Sequence, residues 1–408
     1  MSAAEEPLIY ILKPGELVLK GGNREGFERI LIRNLRTLLA AGKRPGGIRV
    51  EGARGRFFVH GPPEAAPRIE EALGRLFGIA GWARARKCEK TPDAVFAACV
   101  LEGKALYDRG LRSYKIEARR TDKSFPLDSY GICVGAGQEL AAKAPGLRVD
   151  VHGPQGIIQV EIREKAYVYA LASEGLRGLP VGTAGRGLLL LSGGIDSPVA
   201  GFRMASRGMG IDAVYFHAFP YTGEEARQKV IRLAGIVGRY TLGIRLWTLG
   251  FTEIQQKIKA GVPEAWCTVM LRMAMMDCAE KLARRIKAKC LITGESLSQV
   301  ASQTIENLSC TESLVELPVL RPLIGTGKEE IISQAQAIGT YETSILPYQD
   351  CCVLFSPPHP VLRGRVEEAR RYYAALELEE PVGRALREGV MEKCGFPESP
   401  AVPQENEP

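Results

Sequence analysis

Six consecutive residues, Ser192-Gly193-Gly194-Ile195-Asp196-Ser197, carry the clearest chemistry in the chain. Backbone N–H groups freed by a glycine turn, two hydroxyls and one carboxylate suit the oxygens of a polyphosphate. Four leucines, Leu188 to Leu191, precede the loop and Pro198 follows it. The leucine run reads as a strand buried on both faces, as in a parallel sheet, and proline fits the first turn of a helix. Strand, glycine turn and helix aim unpaired N–H groups and the positive end of a helix dipole at one anion. A Walker A loop is excluded, because its one lookalike, Gly325-Thr326-Gly327-Lys328, is followed by Glu329 and has Pro322 where the first glycine belongs. The second reactive group is the adjacent pair Cys351-Cys352, where an accessible thiolate would be a nucleophile. The third is basic: Arg112, Lys115, Arg119, Arg120 and Lys123 fall within twelve residues, against Glu117 and Asp122. Such a run fits contacts to nucleic-acid phosphates, and equally an ordinary solvated face.

A chain of 408 residues has room for two to four domains to position these groups, at about 100–200 residues each. Hydrophobic content of 45%, charged content of 25% and a net charge of +7 are those of a soluble globular protein. No apolar run approaches the roughly 20 residues of a membrane helix. The acidic start, Met1 to Glu6, lacks the parts of a secretion signal, so a cytoplasmic location and no membrane partner are expected. Ten cysteines without a Cys-x-x-Cys pair, and four scattered histidines, predict no zinc or other protein-held metal centre.

Periodicity predicts strands at 8–13, 47–51 and 55–60 with helices at 24–42 and 69–77, the order of a small ferredoxin-like α+β unit. A second unit has helices at 94–109 and 127–144 and strands at 113–119, 148–152, 156–163 and 167–172. Residues 173–186, rich in glycine and proline, read as a linker. Beyond it, strands at 188–192, 211–217, 243–249 and 289–293 alternate with amphipathic stretches at 198–208, 223–238, 252–260, 267–287 and 327–338. That alternation predicts βαβ units and a parallel sheet. The acidic, proline-containing tail, 397–408, is expected to be disordered.

The Ser-Gly-Gly-x-Asp-Ser loop resembles the PP-loop of ATP pyrophosphatases, which transfer AMP to a carbonyl oxygen and release pyrophosphate. Further stretches resemble the tRNA 4-thiouridine synthetases of the ThiI type: Lys13 to Asn23, Lys115 to Pro126, Leu179 to Thr183, Gly294 to Asn307, and Arg321 to Gly325 with Lys328. The resemblance implies an α/β multidomain fold. Its parts are an N-terminal ferredoxin-like domain (1–63), a THUMP RNA-binding domain (64–172), a linker (173–186) and a PP-loop ATP pyrophosphatase domain (187–396) with a parallel sheet flanked by helices. It implies an ATP-dependent tRNA sulfurtransferase, which adenylates the C4 carbonyl oxygen of uridine 8 and replaces it with sulfur from a persulfide. A second implied role is sulfur transfer to the carrier protein of thiamine thiazole synthesis. The alternatives are an amide-forming PP-loop ligase and a non-catalytic tRNA-binding THUMP protein.

By the same resemblance, Ser192, Gly193, Gly194 and Ser197 hold ATP phosphates, and the other nucleotide contacts are Leu190, Leu191, Tyr215, Phe216, Arg272, Gly294 and Gln303. Lys328 would neutralise charge on the transferring phosphoryl group, and Asp196 suits a Mg²⁺ ligand or a positioning carboxylate. Cys351, ahead of Cys352, is the expected sulfur carrier. Lys115, Arg119, Arg120 and Lys123 are the expected tRNA contacts. Implied partners are tRNA and a cysteine desulfurase as persulfide donor, and a homodimer would suit RNA gripped by one subunit and modified by another. The chain departs from relatives that carry a C-terminal rhodanese domain, for which 397–408 are too few residues. It departs also from those with a Cys-x-x-Cys pair, since Cys267-Thr268-Val269-Met270 lacks the second cysteine. No iron–sulfur cluster is therefore expected; Cys267 stays open as a sulfur carrier, although it and Cys278 are expected to face the core.

Overall fold

The computed structural model describes residues 7–40, 47–53, 55–348 and 357–396. The chain forms two compact units, one from residues up to Gly178 and one from Leu179 onward.

In the first unit, β1 (Leu8–Pro14), α1 (Arg24–Ala40), β2 (Arg49–Ala53), β3 (Arg56–Gly61), α2 (Ala66–Gly74) and β4 (Ile79–Arg84) follow the predicted order and add one strand. Next come β5 (Arg86–Cys88), α3 (Pro92–Asp108), β6 (Ser113–Arg120), α4 (Ser129–Lys143), β7 (Arg148–Val149), β8 (Gly156–Ile162), β9 (Ala166–Tyr169) and β10 (Ala172–Glu174). They build two five-stranded sheets, ordered β10-β4-β1-β3-β2 and β5-β9-β8-β6-β7. The expected boundary at 63/64 cuts through the first sheet. β4 pairs antiparallel with β1, Ile11 opposite Ala83, while Ile69 and Leu73 of α2 pack in one core with Tyr10 and Leu12. The single strand expected at 167–172 is two: β9 stays in the second sheet, and β10 returns to β4 in the first. The start of the expected linker is therefore a paired edge strand. Its register, Ala172 opposite Ala83, depends on a partner 89 positions away, which local composition does not reveal.

The second unit runs β11 (Arg186–Leu190), α5 (Asp196–Ser206), β12 (Gly210–His217), α6 (Glu224–Thr241), β13 (Ile244–Gly250), α7 (Thr252–Gly261), α8 (Cys267–Arg285) and β14 (Leu291–Ile292). It continues with α9 (Ile305–Glu312), β15 (Val319–Leu320), α10 (Lys328–Ile338), α11 (Tyr341–Ser344), α12 (Val366–Ala375), α13 (Glu379–Glu388) and β16 (Val390–Cys394). The sheet order is β15-β14-β11-β12-β13-β16, parallel except for β16, which lies antiparallel on β13. Leu188, Leu189 and Leu190 are buried as their run predicts. Leu188 and Leu190 share a core with Met270 and Met273 of α8, and a Cβ on Gly201 of α5 would meet Leu189 at 2.8 Å. Helices therefore cover both faces. Strand order reverses at β11: the chain goes out through β12 and β13 and returns to β14 on the other side. Ligands of open α/β sheets bind outside the strand carboxyl ends at such a point. Among the described residues no helix is long and apolar enough to cross a membrane.

Candidate functional site

The loop leaving β11 closes on itself through its two serines. Ser192 N–H donates to Ser197 Oγ at 2.9 Å, the two hydroxyl oxygens lie 3.1 Å apart, and Gly194 N–H donates to Ser192 Oγ at 3.2 Å. Neither Gly193 nor Gly194 has a positive φ. The loop turns without left-handed backbone, so glycine serves here by leaving the backbone open to a ligand rather than by its conformational freedom. α5 starts at Asp196 with no side-chain cap, which leaves its first N–H groups and its dipole directed at the loop.

Asp196 is the carboxylate of this cradle. Lys328 Nζ, at the start of α10, donates to its Oδ1 at 2.6 Å, and Gln299 Nε2 donates to its Oδ2 at 3.0 Å. Lys328 lies 132 positions away in sequence and is brought to the loop by the return of the chain after β15. Gly294, expected to admit a ligand, admits the loop itself: a Cβ there would stand 2.7 Å from Ser197 N and 2.9 Å from the Asp196 carbonyl carbon.

A cavity of about 520 Å³ opens beside the loop. Of the residues expected at a nucleotide, Leu190, Leu191, Ser192, Asp196, Tyr215, Phe216, Arg272 and Gln303 line it, whereas Gly193, Gly194, Ser197, Gly294 and Lys328 do not. Thr268, Leu271, Met275, Gln299, Val300 and Ser302 also line the wall. Thr268, Leu271, Arg272 and Met275 recur at i, i+3, i+4 and i+7, one face of α8, a spacing that an ordinary core stripe shares. The wall combines apolar side chains (Leu190, Leu191, Phe216, Leu271, Met275) with hydrogen-bonding and charged ones (Ser192, Asp196, Arg272, Gln303), a lining that suits a flat heterocycle joined to an anion.

Arg272 is held from behind. Its Nη2 donates to Glu295 Oε1, while Glu295 Oε2 accepts from Arg321 Nε at 2.7 Å and Thr293 Oγ1 at 2.8 Å. Glu295 is 2% exposed. Burial alone would raise its pKa, but the Arg272 and Arg321 guanidiniums outweigh burial and hold it below the usual carboxylate value. A charge so deeply buried is tolerated because it is paired and hydrogen-bonded. The site thus has a partly buried, braced cation on α8 and a half-exposed one, Lys328, paired with Asp196 at the loop.

Cys351 and Cys352 lie outside the described residues. Cys267 and Cys278 are 6% and 0% exposed, and burial raises both thiol pKa values. Such thiols are poor nucleophiles at neutral pH. Among the described residues no group of three or more His, Cys, Asp or Glu side chains could hold a metal ion.

In the first unit, β6 turns Ile116 and Ala118 to the core and Lys115, Glu117 and Arg119 to the opposite face. Lys115 pairs with Glu117 at 3.1 Å. Arg120 is half-buried and donates from Nη1 to the carbonyls of Phe125 at 3.0 Å and Leu127 at 3.2 Å, so it braces the turn that follows β6. Arg119 and Lys123 are the exposed members of the set.

Three family models match in sequence: the ThiI ferredoxin-like domain over residues 9–83, the THUMP domain over 89–171, and the thiamine biosynthesis protein (ThiI) over 182–378. A probable tRNA sulfurtransferase of Treponema pallidum (strain Nichols) is 49% identical over 372 residues, which cover 90% of this chain and 92% of the relative. Its counterpart in Caldanaerobacter subterraneus subsp. tengcongensis is 44% identical over 363 residues, covering 88% and 93%. A solved 4-thiouridine synthetase–RNA complex with bound ATP superposes with a TM-score of 0.87 at 34% identity, covering 95% of this chain and all of that one. Identity of this degree over nine-tenths of the length, on the same three domains, places the chain in the ThiI family of tRNA sulfurtransferases.

Proposed function

We propose that this protein is an ATP-dependent tRNA sulfurtransferase that converts uridine 8 to 4-thiouridine. The observation that carries the reading is the Ser192–Ser197 loop at the strand reversal, opening on a cavity with Arg272 on one wall and the Asp196–Lys328 pair at its rim. A carbonyl oxygen is a poor leaving group, and adenylation makes it a good one. The uracil O4 attacks the α-phosphorus of ATP, and pyrophosphate leaves. The loop N–H groups and Ser192 and Ser197 hold the phosphates, Leu190, Leu191, Tyr215, Phe216 and Gln303 enclose the nucleoside, and Arg272 and Lys328 stabilise the charge that develops. One carboxylate beside a phosphate cradle fits Mg²⁺, which takes few protein ligands and several phosphate oxygens. Asp196 would hold the ion, whose contribution is further charge neutralisation.

The terminal sulfur of a persulfide on Cys351, with Cys352 second in line, attacks C4 and AMP leaves. A second thiol attacks the enzyme sulfur of the disulfide joining enzyme and base, 4-thiouridine leaves with the outer sulfur, and the new disulfide on the enzyme is returned to a thiol by a dithiol reductant before the next charge. A cysteine desulfurase is the donor that would recharge the thiol, and the same persulfide could serve a thiamine sulfur carrier. Arg119, Lys123 and Lys115 contact tRNA phosphates, with Arg120 bracing the turn between them. These reactions take place in the cytoplasm, and a homodimer would let one subunit grip the RNA that the other modifies. Incubation with tRNA, ATP and a persulfide donor, followed by thionucleoside and nucleotide analysis, tests the reading. AMP and 4-thiouridine in equal amounts are expected. ADP in place of AMP, or AMP without any thionucleoside, would overturn it.

A further inference from the structure

A row of aromatic rings leads from the cavity to solvent. Tyr215 and His217 occupy alternate positions of β12 and share a face, and Phe219 continues the row past the strand end. The Tyr215 and His217 ring centroids are 5.8 Å apart at 29°, and those of His217 and Phe219 are 6.4 Å apart at 46°. Tyr215 is buried and lines the cavity, whereas Phe219 is 67% exposed. The loop bearing Phe219 is braced: Thr252 Oγ1 donates to the Phe219 carbonyl at 2.6 Å, and buried Thr222 exchanges hydrogen bonds with Ala218 at 2.9 and 3.0 Å. The ring of Phe219 thus stands on a braced loop at the outer end of a row that begins in the cavity, and presents a face to a flat ligand.

The helix that follows this loop carries a second set of contacts. Lys229, in the second turn of the helix that follows this loop, is 5% exposed and donates from Nζ to the carbonyls of Leu346 at 2.8 Å and Tyr348 at 3.4 Å. Ser344 Oγ donates to the Gly194 carbonyl at 3.3 Å. The chain is therefore tied to both the phosphate loop and α6 just ahead of Cys351.

We propose that Phe219, backed by His217 and Tyr215, is the platform on which the pyrimidine base to be modified stacks once it has left the RNA stack. The inference rests on the function proposed above. A base that must offer O4 to a phosphate at the loop has to approach the cavity, and the row runs from the cavity-lining ring of Tyr215 out to Phe219. Enzymes acting on a nucleobase take it out of its stack, and an aromatic face compensates for the stacking it gives up.

The test uses the full chain, a tRNA transcript, ATP and a persulfide donor, with F219A and F219W compared to the parent. F219A should lose about 5- to 150-fold in kcat/KM for 4-thiouridine, the loss expected of one base–aromatic stack. Its tRNA Kd should move by less than about twofold, because phosphate contacts dominate affinity. F219W should keep activity within about threefold, since indole stacks as well as phenyl. F219W fluorescence should also be quenched by tRNA beyond any change in the parent, and not by a transcript abasic at the target uridine. An active parent with F219A equal to it, F219W as impaired as F219A, or quenching indifferent to the abasic site would each overturn the platform. A parent that makes neither AMP nor 4-thiouridine would overturn the functional reading, and the platform with it.

Discussion

Gly294→Ala should disable the phosphate loop while leaving the fold standing. Gly294 does not have a positive φ, so alanine meets no backbone strain there. It meets other backbone instead: the added Cβ would lie 2.7 Å from Ser197 N, 2.8 Å from Ser197 Cα and 2.9 Å from the Asp196 carbonyl carbon. No flexible side chain can move aside. Reaching ordinary contact at 3.4 Å requires the start of α5 and the strand end to part by about 0.7 Å. A misplacement approaching 1 Å in a reacting geometry costs on the order of 100-fold, so AMP formation should fall about 10- to 100-fold. Overpacking one methyl should cost about 1–3 kcal/mol of stability. Pyrophosphate release under single-turnover conditions, beside a urea melt, reads the two effects separately. A variant that forms AMP within about twofold of the parent would refute the claim that close backbone contact, rather than ligand approach, is why glycine stands here.

Lys328→Ala removes an ion pair whose side chains are 42% and 21% exposed, so unfolding free energy should change by less than about 1 kcal/mol, while AMP formation falls on the order of 100-fold. A thermal melt and an AMP assay on one preparation check both halves. Glu295→Gln leaves two guanidiniums without their shared carboxylate and should cost about 3–5 kcal/mol at pH 7. Because the Glu295 pKa is lowered in the fold, its stabilisation is complete above the unfolded value of 4.5 and is lost as pH falls through the folded one. Urea curves of parent and variant should therefore converge in acid, and a gap that stays constant from pH 7 to well below 4.5 would contradict the pairing. Cys351→Ser should abolish 4-thiouridine but keep AMP formation, and buried Cys267→Ser should keep both; the reverse pattern in a thionucleoside assay would reassign the sulfur carrier. Arg119→Ala and Lys123→Ala should each weaken tRNA binding and lower the slope of log Kd against log salt by about 1, whereas Arg120→Ala should also lower the melting temperature.

What was legible in the sequence was what short-range chemistry dictates. A leucine run, a Ser-Gly-Gly turn and a proline at the helix start need no distant partner to become strand, loop and helix, and Ser192–Ser197 could be read at once. The alternation that follows was legible for the same reason, because β12 is a nearly continuous apolar run and α6 carries an amphipathic helical period of its own. Elements defined by a remote partner were not. β10 has three exposed residues and is a strand only because β4 lies beside it. β14 and β15 are two residues long, and β16 takes its register from β13 across the whole domain. The wall of the cavity on α8 was missed apart from Arg272, since Thr268, Leu271 and Met275 look like any core stripe until the sheet ends beneath them. Tertiary structure alone decided that Lys328 meets Asp196, that Glu295 holds Arg272, and that Gly294 accommodates backbone. Side-chain type and local period fix which chemistry a residue can do; which groups share it depends on chain returns of 23 to 132 residues, and those are settled only by packing.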